Sequence, residues 1–142
     1  MMRPFTISIA AMLLVALSGC VHADSRNQVT KEAIDAMDRL TDALATVTDK
    51  ASAEQIEPKV IEFRDTMQAL AARAAKLPKP SDPELQAWKT KYLAQGRASA
   101  LRLNAESNRI MADAKARGEP TPRQLDEILQ ILQQTKIMAQ GG

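Results

Sequence analysis

The chain has few of the residues on which catalysis and cofactor binding most often depend. Its 142 residues include one cysteine, one histidine, one tryptophan and one tyrosine. A single cysteine excludes an internal disulfide, so packing must hold any folded domain together. The sequence contains no Gly-x-Ser-x-Gly, no Cys-x-x-Cys-His and no glycine-rich phosphate loop. We therefore expect a protein that is not an enzyme and that has no cofactor.

An excess of one charge and runs of strand-forming residues are lacking as well. From residue 20 onward the chain carries 18 basic and 17 acidic side chains. This near balance argues against nucleic acid as a partner and against a polybasic membrane patch. Alanine, leucine, glutamine, lysine and arginine dominate instead, and these residues favour helices. The composition therefore predicts an all-α protein.

The amino-terminal segment contains a short apolar run. Phe5–Leu17 spans 13 residues, follows the single positive charge of Arg3 and precedes two small residues. A helix needs about 20 apolar residues to cross a bilayer, so this run is too short for a membrane span. A charged start, a short apolar middle and small residues at the end are typical of a secretory signal peptide.

The end of this run resembles the lipobox of bacterial lipoproteins. Its residues are Leu17-Ser18-Gly19-Cys20, and Cys20 is the only cysteine of the chain. In that family a diacylglyceryl group is attached to the cysteine sulfur, and a peptidase then cuts before the cysteine. The resemblance implies that Cys20 carries the lipid and that the Gly19–Cys20 bond is cleaved. Two or more acyl chains anchor a protein stably in a lipid bilayer, whereas one chain gives only marginal binding.

The residues that follow the cysteine leave one alternative and suggest a location. The alternative is an ordinary signal peptide cut after Ala23, because Val21-His22-Ala23 also has the form of a cleavage site. In Gram-negative lipoproteins, Asp after the cysteine commonly retains the protein at the inner membrane, and Val21 stands there in this chain. The resemblance therefore implies the outer membrane, facing the periplasm, if the organism is Gram-negative.

Because the only histidine of the chain is His22, which lies in the predicted tether, no histidine remains to bind a haem in a helical core.

On this basis the chain divides into three parts. Residues 1–19 are the signal peptide, residues 20–27 are the lipidated cysteine and its tether, and residues 28–142 are a helical domain. Three breaks divide the domain into four helical segments, and the second has the clearest periodicity. Its apolar residues step alternately by four and three, as in a coiled coil. They are Ile56, Val60, Phe63, Met67, Leu70, Ala74 and Leu77.

The first two segments are predicted at 28–48 and 52–77. Ser52-Ala53-Glu54-Gln55 has the form of a capping box at the start of the second segment. Pro58 lacks a backbone amide, and we expect it to kink the first turn or to delay the start of the helix. Two prolines just beyond position 77 end this helix.

The third segment, 81–117, is the longest, at about 35 residues or ~52 Å. Gly96 lies on its apolar stripe, which indicates either a close approach of a neighbour or a bend. If the helix does not bend, it overhangs the bundle and offers its stripe to a partner. Gly118 provides a left-handed exit, and the fourth segment begins at Thr121. Because the linkers are short, consecutive helices should be antiparallel neighbours, which predicts an up-down bundle of about four helices.

Side chains that could bind a metal are better explained by packing. Methionine occurs once in each predicted helix, at positions 37, 67, 111 and 138. The last two lie near the ends of oppositely directed helices, so the four sulfurs cannot converge on Cu(I). Asp35, Asp38 and Asp42 lack the Glu-x-x-His motif of di-iron bundles. We expect no metal site, and we expect these acids to pair with the basic third helix. Its basic residues are Lys89, Lys91, Arg97, Arg102 and Arg109.

Trp88 and Tyr92 are the largest side chains of the predicted domain and lie four residues apart on the third helix. Aromatic side chains often anchor a partner or a ligand, although their place on the apolar stripe favours a role in the core. The favoured function is a non-enzymatic interaction or structural module with a protein partner in the cell envelope. The alternative is a bundle that binds a small ligand or a metal in a cavity beside Trp88 and Tyr92.

Part of the domain is similar to small exported helical proteins of bacteria that carry no assigned activity. The similarity lies in ALATVTDKASAEQIEPKV and LPKPSDPELQAWKTKY, within residues 43–110. It transfers no functional residue to this chain. What it implies is an exported helical domain.

Overall fold

The structure, a computed structural model, describes residues 25–140 and their side chains as far as residue 133. Five helices follow one another in this part of the chain, and no strand occurs in it. The all-α fold predicted from composition is confirmed. The helices are α1 (Arg26–Ala45), α2 (Lys50–Gln55), α3 (Glu57–Ala75), α4 (Asp82–Ala116) and α5 (Arg123–Gln140).

The four long helices alternate in direction and form a bundle in which α1 packs against both α3 and α4. Trp88 of α4 contacts Thr30 near the start of α1, and Arg109 contacts Leu44 near the end of α1. Because both contacts follow the same order along the chain, α1 and α4 lie side by side and run parallel. The prediction of a four-helix up-down bundle is confirmed, but its most extensive contact joins helices that are not consecutive.

The remaining contacts place α3 and α5 beside each other. Arg73 near the end of α3 forms a salt bridge with Glu32 near the start of α1, so these helices are antiparallel. Arg123 at the start of α5 pairs with Glu57 at the start of α3, so these two run parallel. The main contacts of α3 and α4 are with other helices, and the linker 76–81 therefore crosses one end of the bundle. Six extended residues span about 20 Å, which is enough to cross it.

The buried residues of α3 lie on the stripe that the sequence predicts. All four periodic positions from Val60 to Leu70 in α3 are buried, as are Leu103 and Ile110 in α4. Two serines of α4, Ser99 and Ser107, are also buried, with exposed fractions of 1% and 0%. The apolar core comprises Val29, Ile34, Ala36, Met37, Leu40, Leu44, Val47, Ala53, Ile56, Val60, Phe63, Met67, Leu70, Tyr92, Leu103, Ile110, Leu125 and Ile128.

The predicted second segment is two helices, and its predicted capping box is wrong. Asp49 is the N-cap, and its carboxylate accepts a hydrogen bond from the Ser52 amide at 2.8 Å. Ser52 is therefore at the N3 position of the box, where its hydroxyl accepts a hydrogen bond from the Asp49 amide at 3.0 Å. The hydrogen bonds with Ser52 lower the pKa of Asp49, and the bond from the Ser52 amide has the largest effect. Because Pro58 has no amide to donate, the helix breaks at Ile56, and α3 starts afresh at Glu57.

The α4 helix continues for 35 residues without a break at Gly96. A methyl group added at Gly96 would meet no atom within 4 Å, so the expected close approach at this position is wrong. Gly118 has φ of 70°, and the next amide, of Glu119, bonds back to the carbonyl of Ala114 at 2.9 Å. The predicted left-handed exit is therefore confirmed.

The α1 helix begins two residues before the predicted start of the domain. Ser25 is its N-cap, and the Ser25 hydroxyl accepts a hydrogen bond from the amide of Gln28 at 3.1 Å. Satisfying a free amide in this way is the usual function of a capping serine. The folded bundle therefore begins five residues after Cys20.

Candidate functional site

One end of the bundle combines a groove, the only tryptophan and a set of basic residues. It is formed by the start of α1, the end of α3, the linker and the start of α4. We call this surface the basic end and define it as residues 25–32 and 73–91. Its parts are joined by a hydrogen bond from the Arg26 guanidinium to the carbonyl of Pro78 at 3.3 Å and by the Glu32–Arg73 salt bridge.

The groove of the basic end has a volume of about 430 Å³ and opens to solvent. It lies between the first turn of α1, the proline-containing linker and the first turns of α4. Arg26, Lys79 and Lys91 contribute positive charges to its walls, and Glu84 contributes the negative one. Glu84 is engaged, because it accepts hydrogen bonds from the hydroxyl and the amide of Ser81 at 2.7 and 2.8 Å. Both hydrogen bonds lower the pKa of Glu84 and so favour its ionised form, and the bond from the Ser81 hydroxyl has the larger effect.

Trp88 forms one wall of this groove and is half-buried. Its indole N–H donates a hydrogen bond to the Thr30 hydroxyl at 2.7 Å. That hydroxyl in turn donates to the carbonyl of Arg26 at 2.7 Å. The indole ring is therefore fixed against α1, while one part of it faces the groove.

Tyr92, predicted with Trp88 as a possible contact residue, lies elsewhere. It is only 8% exposed and belongs to the hydrophobic core. The ammonium of Lys91 lies 5.2 Å from the centre of the Tyr92 ring, a cation–π distance. The structure therefore separates the two aromatic residues: Trp88 borders the groove, and Tyr92 packs in the core.

The basic end has an uneven charge. Its residues include seven basic and three acidic side chains, a net charge of +4. Five of these side chains are exposed lysines, and none of the five forms a salt bridge within the described part of the chain. They are Lys31, Lys76, Lys79, Lys89 and Lys91.

The opposite end of the bundle has the reverse character. We define it as residues 46–62 and 113–127, which carry five basic and eight acidic side chains, a net charge of −3. Several of its cations have carboxylate partners. Arg117 lies 3.0 Å from Glu119, Arg123 lies 2.9 Å from Glu57, and a third pair joins Lys59 to Glu62 at 3.1 Å.

Basic side chains of α4 also bind the carboxyl end of α1. The Arg109 guanidinium donates to the carbonyls of Leu44 at 3.0 Å and Val47 at 3.1 Å. It also contacts Glu106 and Asp113, and the hydrogen bond with Glu106 is the main cause of its raised pKa. Leu44 lies in the last turn of α1 and Val47 just beyond it, and a cation near the carboxyl end of a helix is favourable. This arrangement stabilises the parallel packing of α4 against α1.

The predicted pairing of the acidic first helix with the basic third segment is found at one point. Asp38 of α1 accepts a hydrogen bond from Arg102 of α4 at 2.7 Å. Asp35 and Asp42 are exposed. No group of three or more possible metal ligands occurs among residues 25–133. Of the methionines, Met37 and Met67 lie in the core, Met111 is partly buried against it, and the side chain of Met138 lies outside the described part.

A second groove lies between α1 and α3 and has a volume of about 250 Å³. Its floor includes Leu40 and Phe63, and its rim carries charges of both signs, among them Arg39, Asp42 and Glu62. Because these charges are mixed, this groove favours neither anions nor cations.

The predicted lipidation and cleavage residues, Cys20 and Gly19, lie outside the described residues, as does His22. Within residues 25–140 no helix combines the length and apolarity that a membrane crossing requires. Sequence reasoning missed Arg26 and the linker as parts of a site. The available signal was the segment KLPKP, in which two lysines alternate with two prolines that also hold the backbone extended.

Comparison of the chain with protein-family models, with curated protein sequences and with solved structures finds no match. Function must therefore be inferred from the residues of this chain and their arrangement.

Proposed function

We propose that the protein is a bacterial lipoprotein whose helical bundle is held at a membrane surface by acylated Cys20. The observation that carries the proposal is the lipobox-like sequence Leu17–Cys20, which ends shortly before the capped start of α1. Ser25 lies five residues after Cys20, within reach of the lipobox-like sequence Leu17–Cys20. Five extended residues span at most about 17 Å. The bundle would therefore be held next to the bilayer, with residues 1–19 removed as a signal peptide.

The proposed location is the outer membrane, facing the periplasm, in a Gram-negative organism. What supports it is Val21, which stands where inner-membrane lipoproteins of the resembling family commonly have Asp. Replacing Val21 by Asp should move the protein to the inner-membrane fraction on a density gradient. An unchanged distribution would contradict the proposed sorting.

The proposed role is non-enzymatic: the bundle contacts another protein of the envelope through an exposed helix face. Support comes from α4, where Leu93 and Leu101 are 41% and 68% exposed. They lie eight residues apart with exposed Arg97 between them, which places all three on one stripe of the helix. Arginine is enriched at protein interfaces, and the two exposed leucines place apolar surface on either side of it.

Metabolic labelling tests the anchor directly. Cells grown with labelled palmitate should incorporate the label into the wild-type protein and not into the Cys20→Ser variant. The variant should also move from the membrane fraction to the soluble fraction. Intact-mass spectrometry should show a chain that starts at Cys20 and carries acyl groups. An unmodified chain that starts at Asp24 would establish the ordinary signal peptide instead.

Site-specific crosslinking in cells tests the partner. A photoreactive amino acid at position 101, on the exposed stripe of α4, should give a defined adduct with one envelope protein. The matched control is the same amino acid at Gln68, an exposed position of α3. Adducts of the same identity from both positions, or none from either, would contradict a specific role for the α4 stripe.

A second candidate function is the binding of a small ligand, which the groove beside Trp88 favours. Native mass spectrometry of the intact protein tests this function. A stoichiometric bound molecule that is lost in a Trp88→Ala variant would support it. A mass equal to that of the acylated chain alone would count against it.

A further inference from the structure

We propose that the basic end of the bundle docks on an anionic phospholipid surface, so that the anchored protein stands on the membrane in one orientation. The proposal rests on acylation of Cys20 and adds to it a second, electrostatic contact. It commits to the headgroups of the bilayer in which the lipid is inserted. The surface that makes the contact includes the groove between α1, the linker and α4.

The first argument is the separation of charge along the bundle. The basic end has a net charge of +4 and the opposite end a net charge of −3, although the chain as a whole is close to neutral. Such a distribution gives the molecule an electric dipole along the bundle. Near a negatively charged surface, the field turns the basic end towards that surface.

The second argument is that the lysines of the basic end are available for an external partner. Lys79 and Lys91 are exposed, line the groove and form no salt bridge in the described part of the chain. At the opposite end, Arg117 and Arg123 already have carboxylate partners. A lysine ammonium is a compact point charge on a flexible stem, which suits contact with mobile phosphate groups.

The third argument is geometric. If Cys20 is acylated, Ser25 lies within about 17 Å of the membrane surface. The α1 helix has 20 residues and extends about 30 Å from there. Electrostatic interactions are screened over about 8 Å at physiological ionic strength, so when α1 points away from the bilayer the opposite end is too distant to interact with the headgroups, whereas the tether allows the basic end to reach them. The five exposed lysines of the basic end, none of which forms a salt bridge in the described part of the chain, are therefore at the end that the tether brings to the bilayer.

The fourth argument is the position of Trp88. Tryptophan is favoured at membrane interfaces because its ring is apolar while its N–H requires a polar partner. The partner in this protein is the Thr30 hydroxyl, which leaves the part of the ring that faces the groove free to meet lipid headgroups. Because Trp88 is the only tryptophan of the chain, it also reports the distance between this end and the membrane.

The test uses the full acylated protein reconstituted in vesicles that contain a dansyl-labelled headgroup lipid. Resonance energy transfer from Trp88 to dansyl is measured in vesicles of phosphatidylethanolamine with one quarter phosphatidylglycerol, and in vesicles of phosphatidylcholine alone. Transfer should be stronger in the anionic vesicles and should fall towards the neutral value in high salt. Each lysine near an anionic surface shifts the ratio of docked to free orientations by about fivefold.

The deciding comparison is between two double variants. Lys79→Gln with Lys91→Gln should lower the docked ratio about 25-fold and bring transfer in anionic vesicles close to the neutral value. Lys50→Gln with Lys115→Gln removes two exposed lysines from the opposite end and should leave transfer unchanged. Equal transfer in the two kinds of vesicle, or equal effects of the two double variants, would overturn the proposal.

A failure of this proposal can be distinguished from a failure of the anchor. Mass spectrometry of the same preparation reports whether Cys20 carries acyl chains. If the protein is acylated but energy transfer from Trp88 is the same in anionic and neutral vesicles, the docked orientation alone is refuted. A protein without acyl chains refutes the anchor, and docking with it.

Discussion

At the scale of single residues, Arg109 connects the two helices that form the most extensive contact of the bundle. Its guanidinium binds the carbonyl of Leu44 in the last turn of α1 and that of Val47 just beyond the helix, together with the carboxylates of Glu106 and Asp113 on its own helix. Arg117 adds a hydrogen bond to the carbonyl of Thr48 at 3.0 Å. Arg109 and Arg117 thus add contacts from another part of the chain to the local cap that Thr46 and Val47 provide at the end of α1.

Replacing Arg109 by Gln should lower the free energy of unfolding by about 1–2 kcal/mol. Charge-assisted hydrogen bonds contribute more than neutral ones, although the partial exposure of this side chain reduces their effect. Urea unfolding followed by circular dichroism measures the change. The matched control is Arg97→Gln, an exposed arginine of the same helix, which should change stability by no more than about 0.5 kcal/mol. Equal losses in both variants would contradict the proposed role of Arg109.

A buried and an exposed leucine of α4 give a second comparison at the scale of single residues. Leu103 has no exposed surface, whereas Leu101, two positions earlier, is 68% exposed. Leu103→Ala should lower the free energy of unfolding by about 2–4 kcal/mol, because it removes buried methyl groups and leaves a cavity. Leu101→Ala should stay within about 0.5 kcal/mol of the wild type. The same unfolding measurement tests both, and a large loss in Leu101→Ala would show that this surface is covered within the protein.

At the scale of elements, the two glycines of the α4 region should respond in opposite ways to alanine. Gly96 is helical with free space beside it, so Gly96→Ala should stabilise the protein by about 0.5–1 kcal/mol. Gly118 has φ of 70°, where a side chain is strained, so Gly118→Ala should destabilise it by about 1 kcal/mol. Thermal unfolding of the two variants shows whether each substitution raises or lowers the stability of the protein. A loss of stability in Gly96→Ala would show that this position does meet a neighbour.

The sequence predicts single helices of this protein better than it predicts their neighbours. The alternation of apolar residues from Val60 to Leu70 identifies the buried face of α3, since the period of a helix determines which residues share a face. Local rules also find the left-handed exit at Gly118. They mistake Ser52 for a cap because Asp49 and Ser52 are both good capping residues, and the sequence alone does not decide between them.

The pairing of α1 with α4 and the groove of the basic end depend on long-range contacts. Linker length indicates that consecutive helices alternate in direction, but not that linker 76–81 crosses the end of the bundle. For that reason Trp88 and Tyr92 are predicted together, and only the packing separates them. The contribution of Arg26 to the groove depends on its contact with Pro78, a residue 52 positions away.

At the scale of the whole molecule, the arrangement of helices divides the bundle into a central and a peripheral part. α1 lies between α3 and α4 and buries residues along its length, from Val29 to Leu44. In the part of the chain whose side chains the structure describes, α5 contacts mainly α3, and Leu125 and Ile128 anchor its first two turns in the core. The element that follows the proposed tether is thus also the central element of the fold. The membrane anchor would therefore be attached to the most firmly packed helix.

This division predicts the order in which backbone amides exchange with solvent. Amides in the middle of α1 should exchange slowest, because opening them requires separation from both α3 and α4. Amides of α5 should exchange fastest among the four long helices, because this helix can leave by breaking little more than its contact with α3. Deuterium exchange followed by mass spectrometry resolves the helices as separate peptides, with α3 and α4 as internal references. If α5 were protected as strongly as α1, the bundle would open only as a whole, and the distinction between central and peripheral helices would have no energetic meaning.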